Sequence, residues 1–352
     1  MKILFVGETW KGSSARSLRE AMVDFAGLCV DDIGEDHYSC KGRSYILRAA
    51  NRLLRPWNQL ELAKEIDRRL DLFSPDALVV YKGAKVAADT IKRVKARGIP
   101  TVIVFPDYSP HAYGRQLKLA TGCYDLVVST KPFHPNCWET VYGYSNPCVC
   151  VPHGYDPQVH LWLESPNEQP IDVVLAANWR PQYEQLMIKV AGLLESSNIS
   201  VSVAGPGWTE RRSLFPSHWN FPGGLFGRAY GEFVRRGKIV IAPVHSDVLV
   251  GGARQPGDED TTRTYELAAA FCFFLHRRTP YAQTVYNEST EVPMWSDPEE
   301  LASLIRYYLP RETKRKAMSL AAHRRAVPEY SIPSRAKSII AHIQNFVHNF
   351  KS

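Results

Sequence analysis

The 352-residue sequence has no apolar run close to the ~20 residues that a membrane-spanning helix requires. It also has no low-complexity segment and no internal repeat with a period of about 20 to 50 residues, so neither a disordered polymer nor a solenoid is expected. What remains is a globular protein. Its balance of 45% hydrophobic and 22% charged residues is typical of that class.

Metal-ligand spacing is missing as well, because the seven cysteines are scattered along the chain. Cys148 and Cys150 lie two apart in an apolar stretch, where a strand would place both on one face as small hydrophobic thiols. We therefore predict no metal site and a reducing, cytoplasmic location. The apolar run that ends at Gly7 predicts a first strand rather than a signal peptide.

Positive charge is in excess, with a formal net charge of +7 and a pI of about 9.0, which favours anionic partners. The segment 41–55 combines basic and apolar residues at the spacing of an amphipathic helix. Two interpretations stay open: a solvated helix face, or a surface that contacts an anionic acceptor or the inner face of a membrane. No nucleic-acid-binding motif accompanies the charge, so we expect no nucleic-acid partner.

Apolar runs alternate with helical patterns throughout, which is typical of parallel sheets covered by helices. The polar stretch 164–170 contains two prolines and marks the predicted boundary between domains of residues 1–165 and 170–334. The expected fold is α/β: two Rossmann-like, doubly wound domains that face each other across a cleft. The final helix, about residues 335–352, is expected to pack back on the first domain. The predicted strands are residues 2–6, 29–32, 76–81, 100–105, 125–129, 148–151, 171–176, 199–204, 238–242 and 272–275.

Three residues of the first half are candidate catalytic groups because they follow predicted strands, and ligands bind where such strands end. Glu8 lies in a glycine-bearing loop that resembles a phosphate loop but has Ser13 in place of the lysine. Asp107 is a candidate general base, or alternatively the cap of a proline-rich turn. His111 is the second candidate base, since its ordinary pKa suits proton transfer near neutrality.

A glycine-bearing loop follows a predicted strand in the second half. Gly205 and Gly207 would let the backbone approach a ligand closely. Trp208 would either stack on that ligand or pack into the core. We assign all three residues to a candidate donor-binding surface.

The segment 260–270 carries the richest pattern of polar groups. Hydroxyls of Thr261 and Thr262 at a helix N-terminus, followed by Arg263, favour a diphosphate, and Glu266 one turn later is placed to accept two ribose hydroxyls. The alternative is a purely structural one, with a threonine cap and an i,i+3 ion pair between Arg263 and Glu266. The residues alone do not decide between the two.

The order of these motifs resembles the group 1, spore-maturation-protein-like (CgeB-like) glycosyltransferases of bacteria. The segments that carry the resemblance are 81–83, 124–127, 130–131, 154–157 with His160, 205–208, 260–266, 273–279, 286–288 with Glu291, 295–301 and 307–309. The resemblance covers most of residues 76–330. It departs from the family pattern at Pro106-Asp107, where an Asp-Asp pair is usual, and at residues 270–272.

This resemblance implies a GT-B fold and metal-independent transfer of a sugar from a nucleotide diphosphate donor to a glycan, lipid-linked or small-molecule acceptor, without a cofactor. It implies that Glu266 holds the ribose and that Arg263, with both threonines, holds the diphosphate. Arg180 would supply a second cation, and Tyr230 is also assigned to the donor site. The alternative function is a non-catalytic protein on the same scaffold that binds a nucleotide sugar.

Overall fold

The computed structural model describes residues 1–10, 12–38, 50, 53–195, 197–245, 248–250 and 252–351. The chain divides into two compact units. Unit 1 comprises Met1–His153, Asp247–Gly257 and Ile332–Ser352, and unit 2 comprises Gly154–Ser246 and Asp258–Ser331. The polar stretch 164–170 therefore lies within unit 2. Most of the basic segment 41–55 falls outside the described residues.

Unit 1 is built on a six-stranded parallel sheet with the order β2-β1-β3-β4-β5-β6. The strands are β1 Lys2–Gly7, β2 Cys29–Gly34, β3 Ala77–Tyr81, β4 Thr101–Phe105, β5 Leu126–Ser129 and β6 Cys148–Cys150. The helices that connect them are α1 Ser14–Val23, α2 Arg55–Phe73, α3 Ala88–Ala96, α4 Arg115–Thr121 and α5 His134–Cys137. Parallel strands joined by helices produce a doubly wound unit.

Both faces of the first sheet are buried, which is why its strands are almost continuously apolar. Leu4 and Val6 of β1 point to a layer formed with Ile66 of α2 and its neighbours. Ile3 and Phe5 point to the opposite layer. The strand alternation thus divides one apolar run between two cores.

The second of these layers includes a helix from the far end of the chain. The helix α13, Ile332–Lys351, packs on α1 and places Ile339, Ile340 and Ile343 in the layer below Ile3. Its apolar residues recur at helical spacing, so one face is buried and the other is exposed. The last helix therefore contributes to the core of unit 1.

Unit 2 repeats the plan with the parallel order β14-β13-β10-β7-β8-β9. The strands are β7 Ile171–Ala176, β8 Val201–Ala204, β9 Asn220–Gly223, β10 Gly237–Ala242, β13 Phe274–Arg277 and β14 Met294–Trp295. The helices are α6 Pro157–His160, α7 Pro181–Leu193, α8 Arg228–Arg235, α9 Thr262–Ala269, α10 Pro280–Val285, α11 Pro298–Tyr308 and α12 Glu312–Ala326. A small antiparallel hairpin, β11 Val248–Val250 with β12 Ala253–Gln255, belongs to unit 1.

Alternation again sorts the strands of unit 2 into two layers. Val173 and Leu175 face the layer that contains Met187 of α7. Val174 and Ala176 face the layer that contains Leu267 of α9. This packing fixes α7 and α9 on opposite faces of one sheet, with their N-termini near the edge where the strands end. Among the described residues, no helix is both long and apolar enough to cross a membrane.

Candidate functional site

The loops that leave β7 and β8 touch each other at the carboxyl edge of the second sheet. Gly205 has a φ of +139°, and a Cβ there would lie 1.9 Å from the Ala177 carbonyl oxygen. Gly207 has a φ of +88°, and its Cβ would lie 2.9 Å from Cβ of Trp179. Both glycines are needed where two loops of the protein pack together. The structure thus gives both glycines a packing reason, and their contact with a ligand stays a prediction.

Trp208 lies in the core of unit 2 and has no exposed surface. Its indole Nε1–H donates to the Ala177 carbonyl oxygen at 2.8 Å, and its ring packs against Phe215. A buried indole with a satisfied N–H is a packing residue. Of the two roles considered for Trp208, the structure favours packing, and the donor contact stays a prediction.

The N-terminus of α9 is ordered by a chain of hydrogen bonds. Thr261 occupies the N-cap position, Thr262 is the first helical residue, and the Thr261 N–H donates to the Thr264 hydroxyl at 3.0 Å. That hydroxyl lies 2.8 Å from Nε2 of buried His276. Because Nδ1 of His276 lies 2.7 Å from the Arg277 carbonyl oxygen, it carries the proton, and Nε2 accepts from Thr264. Burial lowers the pKa of His276 to about 4, which agrees with a neutral ring.

Arg263 extends from the first turn of α9 without a carboxylate partner. One terminal nitrogen donates to the Pro243 carbonyl oxygen at 3.0 Å, and Nε is buried without a hydrogen bond. No carboxylate among the described residues lies within ion-pair distance, so the i,i+3 pair with Glu266 does not form. A half-buried guanidinium without a counterion has the charge and the free donor that an anion would require.

Arg180 adds a second positive charge to the same edge. It precedes α7 at the N-cap position, and the described residues place no carboxylate within ion-pair distance of it either. Burial raises the pKa of the Tyr183 phenol, and the charges of Arg263 and Arg180 both oppose that rise. The two arginines therefore lie close to the same phenol, as a shared phosphate site requires.

Glu266 faces a histidine that the sequence assigned no role. Its Oε1 lies 3.6 Å from Nε2 of His160, and both side chains are largely buried. The Asp156 N–H donates to Nδ1 of His160, so the neutral ring carries its proton on Nε2, toward Glu266. Tyr230 packs edge-on against the His160 ring, with centroids 5.8 Å apart. The family segment 154–160 contained the signal for His160, but nothing in sequence showed that it meets Glu266.

A second missed residue is Asp258, which follows the hairpin. Its N–H donates to the His245 carbonyl oxygen at 2.8 Å. Burial raises the pKa of the Tyr183 phenol, and the negative charge of the Asp258 carboxylate raises it further. The charges of Arg263 and Arg180 lower it. Asp258 is thus close to the arginine pair. Its distance in sequence from Arg180 and Tyr183 hid this proximity.

The candidate catalytic groups of unit 1 lie at the carboxyl edge of the first sheet. Asp107 Oδ2 lies 2.9 Å from Nζ of Lys82, whose φ of +61° is unusual for a residue with a side chain. Desolvation raises the pKa of Tyr81, a hydrogen bond with Ser14 opposes this, and the Asp107 and Glu8 carboxylates add to it. The structure therefore brings Asp107 and Glu8 to one place beside Tyr81.

Glu8 is held by its own loop. Its Oε2 accepts from the indole N–H of Trp10 at 2.8 Å and from the Ser13 hydroxyl at 3.4 Å. Ser13 also caps α1, since its hydroxyl accepts from the Ala15 N–H. The serine that replaces a phosphate-loop lysine therefore serves as a helix cap.

His111 is packed among aromatic rings rather than beside these carboxylates. Its ring meets Tyr142 and Tyr144 edge-on, with centroids 5.5 and 5.8 Å apart. Burial, together with the Lys118 charge, lowers the pKa of His111. This position favours a packing role, and the proton-transfer role of His111 stays a prediction.

Glu35 is the residue at this edge that the sequence missed. It follows β2, is 2% exposed, and its Oε2 has no hydrogen-bond partner among the described residues. Burial raises the pKa of Glu35 to about 7, while Lys85 opposes the rise and Glu8 adds to it. Its position directly after a strand was the available signal.

The described residues contain no group of three or more His, Cys, Asp or Glu side chains arranged to hold a metal ion. The six cysteines that the structure describes are free thiols. Cys148 and Cys150 lie two apart on β6, and burial raises the pKa of Cys148 to about 12.

Comparison with known proteins places this geometry in context. A sucrose-phosphate synthase from Thermosynechococcus elongatus has a TM-score of 0.73 and 12% identity, covering 99% of this chain and 100% of that one. The HepE protein of Anabaena, solved with UDP-glucose, has a TM-score of 0.68 and 12% identity, covering 98% and 100%. A UDP-GlcNAc 2-epimerase from Neisseria meningitidis, bound to UDP-GlcNAc, has a TM-score of 0.55 and 12% identity, covering 98% and 100%.

Comparison with known sequences gives a match over part of the chain only. No curated protein sequence matches the chain. Residues 182–341, which contain the arginine of α9 and its neighbours, match a family model described as glycosyl transferase-like. The predicted fold class is confirmed: two parallel-sheet, Rossmann-like units of the kind found in GT-B glycosyltransferases. The chain thus has the GT-B fold, and its residues 182–341 are similar to the glycosyl transferase-like family.

Proposed function

We propose that this protein is a glycosyltransferase that moves a sugar from a nucleotide diphosphate donor to a hydroxyl acceptor. The observation that carries the proposal is the pair Arg180 and Arg263, which have no carboxylate partner among the described residues and both lie close to Tyr183. Two guanidinium groups without an ion-pair partner match the charge of a diphosphate. The family match over residues 182–341, which include Arg263 and Tyr183, and two similar structures solved with UDP-glucose or UDP-GlcNAc support this assignment.

In this proposal the donor nucleotide lies along the N-terminus of α9. Thr262 and Arg263 offer backbone N–H groups at the positive end of the helix. Glu266 accepts hydrogen bonds from the ribose hydroxyls, and the His160 Nε2–H, 3.6 Å away, orients that carboxylate. Tyr230 closes the side next to His160.

Sugar transfer in this proposal depends on the positive charge that the protein places beside the leaving diphosphate. The acceptor oxygen forms a bond to the anomeric carbon, the bond from that carbon to the phosphate oxygen breaks, and the diphosphate leaves with the electron pair. Arg180 and Arg263 stabilise the negative charge that develops on the leaving group. Because the protein supplies this charge, we expect transfer to continue in EDTA without added metal.

The proton of the acceptor hydroxyl passes to a carboxylate base. Glu8 and Asp107 are the candidates, because both carboxylates lie beside Tyr81 at the end of the first sheet. Asp107 is ion-paired with Lys82, whereas Glu8 holds only neutral donors, the indole of Trp10 and the hydroxyl of Ser13. We therefore favour Glu8 as the base. The CgeB-like subtype, the sugar and the acceptor stay predictions.

A calorimetric titration with UDP tests the donor site. Arg263→Ala should weaken binding at least about tenfold, the loss expected for a charge-assisted contact. Arg263→Lys keeps the charge but not the paired geometry and should fall between the variant and the wild type. Arg324→Ala, an exposed arginine of α12, is the control and should bind as the wild type does. Unchanged affinity in Arg263→Ala, with an unchanged melting temperature, would contradict the assignment.

The second candidate is a non-catalytic protein that binds a nucleotide sugar. The ion pair between Lys82 and Asp107, which occupies one candidate base, is the observation that favours it. The two functions separate in one assay. A transferase releases nucleoside diphosphate from the donor in the presence of acceptor, and Glu8→Gln abolishes that release, whereas a binding protein takes up donor and leaves it intact.

A further inference from the structure

An open groove lies beside α8 at the edge of the second sheet where the strands begin. Helix α8 packs on β7 and β10, and the neighbouring strands β8 and β9 contribute the floor of the groove. The groove encloses about 480 Å³, a size typical of small-molecule sites. All of its lining residues belong to unit 2.

This groove is separate from the proposed donor site. Ile171, Val201 and Asn220, the first residues of β7, β8 and β9, line it. Arg180 and Arg263 lie at the opposite edge, where the strands end. The six residues of β7 place roughly 17 Å between the two edges. A small molecule in the groove would therefore leave the donor site open.

The floor carries polar groups with unused hydrogen-bonding capacity. Val201 and Val203 face the layer of α7, so Ser202 points to the other face of β8, toward the groove. Ser202 is 1% exposed, and its hydroxyl accepts from Asn220 Nδ2 at 3.2 Å but finds no acceptor for its own proton among the described residues. No described residue donates to Asn220 Oδ1 either. A ligand hydroxyl, which both donates and accepts, would satisfy this adjacent donor and acceptor.

Charged side chains of both signs line the walls of the groove. Glu232 of α8 and Arg236, which follows that helix, are four residues apart, and the part of the chain that the structure describes contains no ion pair between them. His218 adds an imidazole ring at the rim. Because one carboxylate and one guanidinium balance each other, the groove selects neither anions nor cations. Both groups keep hydrogen-bonding capacity for a neutral polar ligand.

Apolar groups complete the lining, namely Pro222, Leu225, Ala229 and Phe233. A sugar ring has hydroxyls around its rim and C–H groups on its faces, so it complements a surface that combines polar groups with apolar side chains. We propose that the groove binds a neutral mono- or disaccharide at a site separate from the donor site. This inference is independent of the proposed transfer reaction.

Saturation-transfer difference NMR of the full chain tests the proposal, with sucrose, maltose, cellobiose and diacetylchitobiose as probes. At least one of these neutral disaccharides should receive saturation from the protein, and saturating UDP should not reduce the signal. Asn220→Ala removes the acceptor for the ligand hydroxyl and should weaken binding about five- to tenfold. Asn198→Ala, at an exposed position outside the groove, should bind as the wild type does.

Ala229→Trp blocks the groove directly. Ala229 is exposed on α8 and lines the groove, so an indole there fills it without entering the core, and the NMR signal should be lost. Ala317→Trp, at an exposed alanine of α12 outside the groove, is the matched control and should keep the signal. Absence of signal from all four disaccharides, displacement by UDP, or undiminished binding by Ala229→Trp would overturn the proposal. So would a dimer in sedimentation velocity that Ala229→Trp dissociates, because the groove would then hold a second copy of the chain.

Discussion

The pKa of the Glu35 carboxyl is set by the burial of its side chain. It is almost fully buried at the end of β2, and its Oε2 has no hydrogen-bond partner among the described residues. Desolvation raises its pKa to about 7, although Lys85 and Lys82 oppose the rise. The folded protein therefore binds a proton here more tightly than the unfolded chain does.

This sign gives a pH dependence of stability. A carboxyl whose pKa is raised from 4.5 to about 7 stabilises the fold below about pH 4.5, and that contribution is lost as the pH rises through 7. The variant Glu35→Gln replaces the carboxyl by a neutral amide and should remove this loss of stability at higher pH. Between pH 5 and pH 8, the free energy of unfolding of the wild type should fall by about 2 to 3 kcal/mol more than that of the variant. Urea unfolding at both pH values measures this difference.

Glu139→Gln, at an exposed position, is the control and should follow the wild type at both pH values. A wild-type profile parallel to that of Glu35→Gln would show that Glu35 titrates in its ordinary range and would contradict the buried environment.

The roles of the charged residues were only partly predictable from the sequence. The sequence left Arg263 and Glu266 divided between an ion pair and a ligand site, and the structure shows that they do not pair. Aromatic and histidine roles were not predictable, because Trp208 and His111 carry both polar and apolar surface. Which surface is used depends on neighbours that are distant in the chain, such as Ala177 and Tyr142.

At the scale of elements, the contact between the loops after β7 and β8 is the tightest feature of unit 2. Gly205→Ala would place a methyl group 1.9 Å from the Ala177 carbonyl oxygen at a φ of +139°. Neither loop can move freely, since the Trp179 N–H also donates to the Pro206 carbonyl oxygen. The variant should lose more than about 3 kcal/mol of stability in urea unfolding.

Gly192→Ala is the matched control for this substitution. Gly192 is exposed near the end of α7, and no atom lies within 4 Å of its added Cβ. Alanine should stabilise the helix there by up to about 1 kcal/mol. If both variants unfold alike, the loop contact does not constrain the fold.

Long apolar elements were predicted well because both faces of each sheet are buried. Residues 171–176 were expected as a strand and form β7, and the expected strand 238–242 forms β10. The elements missed are those with weak local patterns. Strand β9 contains Pro222 and Gly223 and lies at the sheet edge, where a missing N–H donor is tolerated. Strand β14 has only two residues.

At the scale of the whole molecule, the two units should respond differently to donor. Saturation with UDP at a hundred times Kd stabilises the unit that binds it by about 2.7 kcal/mol. The core amides of Val174 and Val240 in unit 2 should then exchange with deuterium about 100-fold more slowly. Those of Val79 and Val102 in unit 1 should change much less. Equal slowing in both sheets, or slowing in unit 1 alone, would place the donor elsewhere.

The chain passes between the two units four times, because unit 1 takes in the hairpin and α13 as well as the N-terminal residues. Buried Ser109 in unit 1 donates to Gln255 of the hairpin at 2.6 Å, and Ile340 and Ile343 of α13 complete the core beneath β1. A gene fragment that ends at His153 would therefore encode an incomplete protein with an uncovered apolar face. An independent unit 2 would be expressed as residues Gly154–Ser331 with the hairpin replaced by a short turn. The outer segments, which belong to unit 1, would be rejoined as a separate chain.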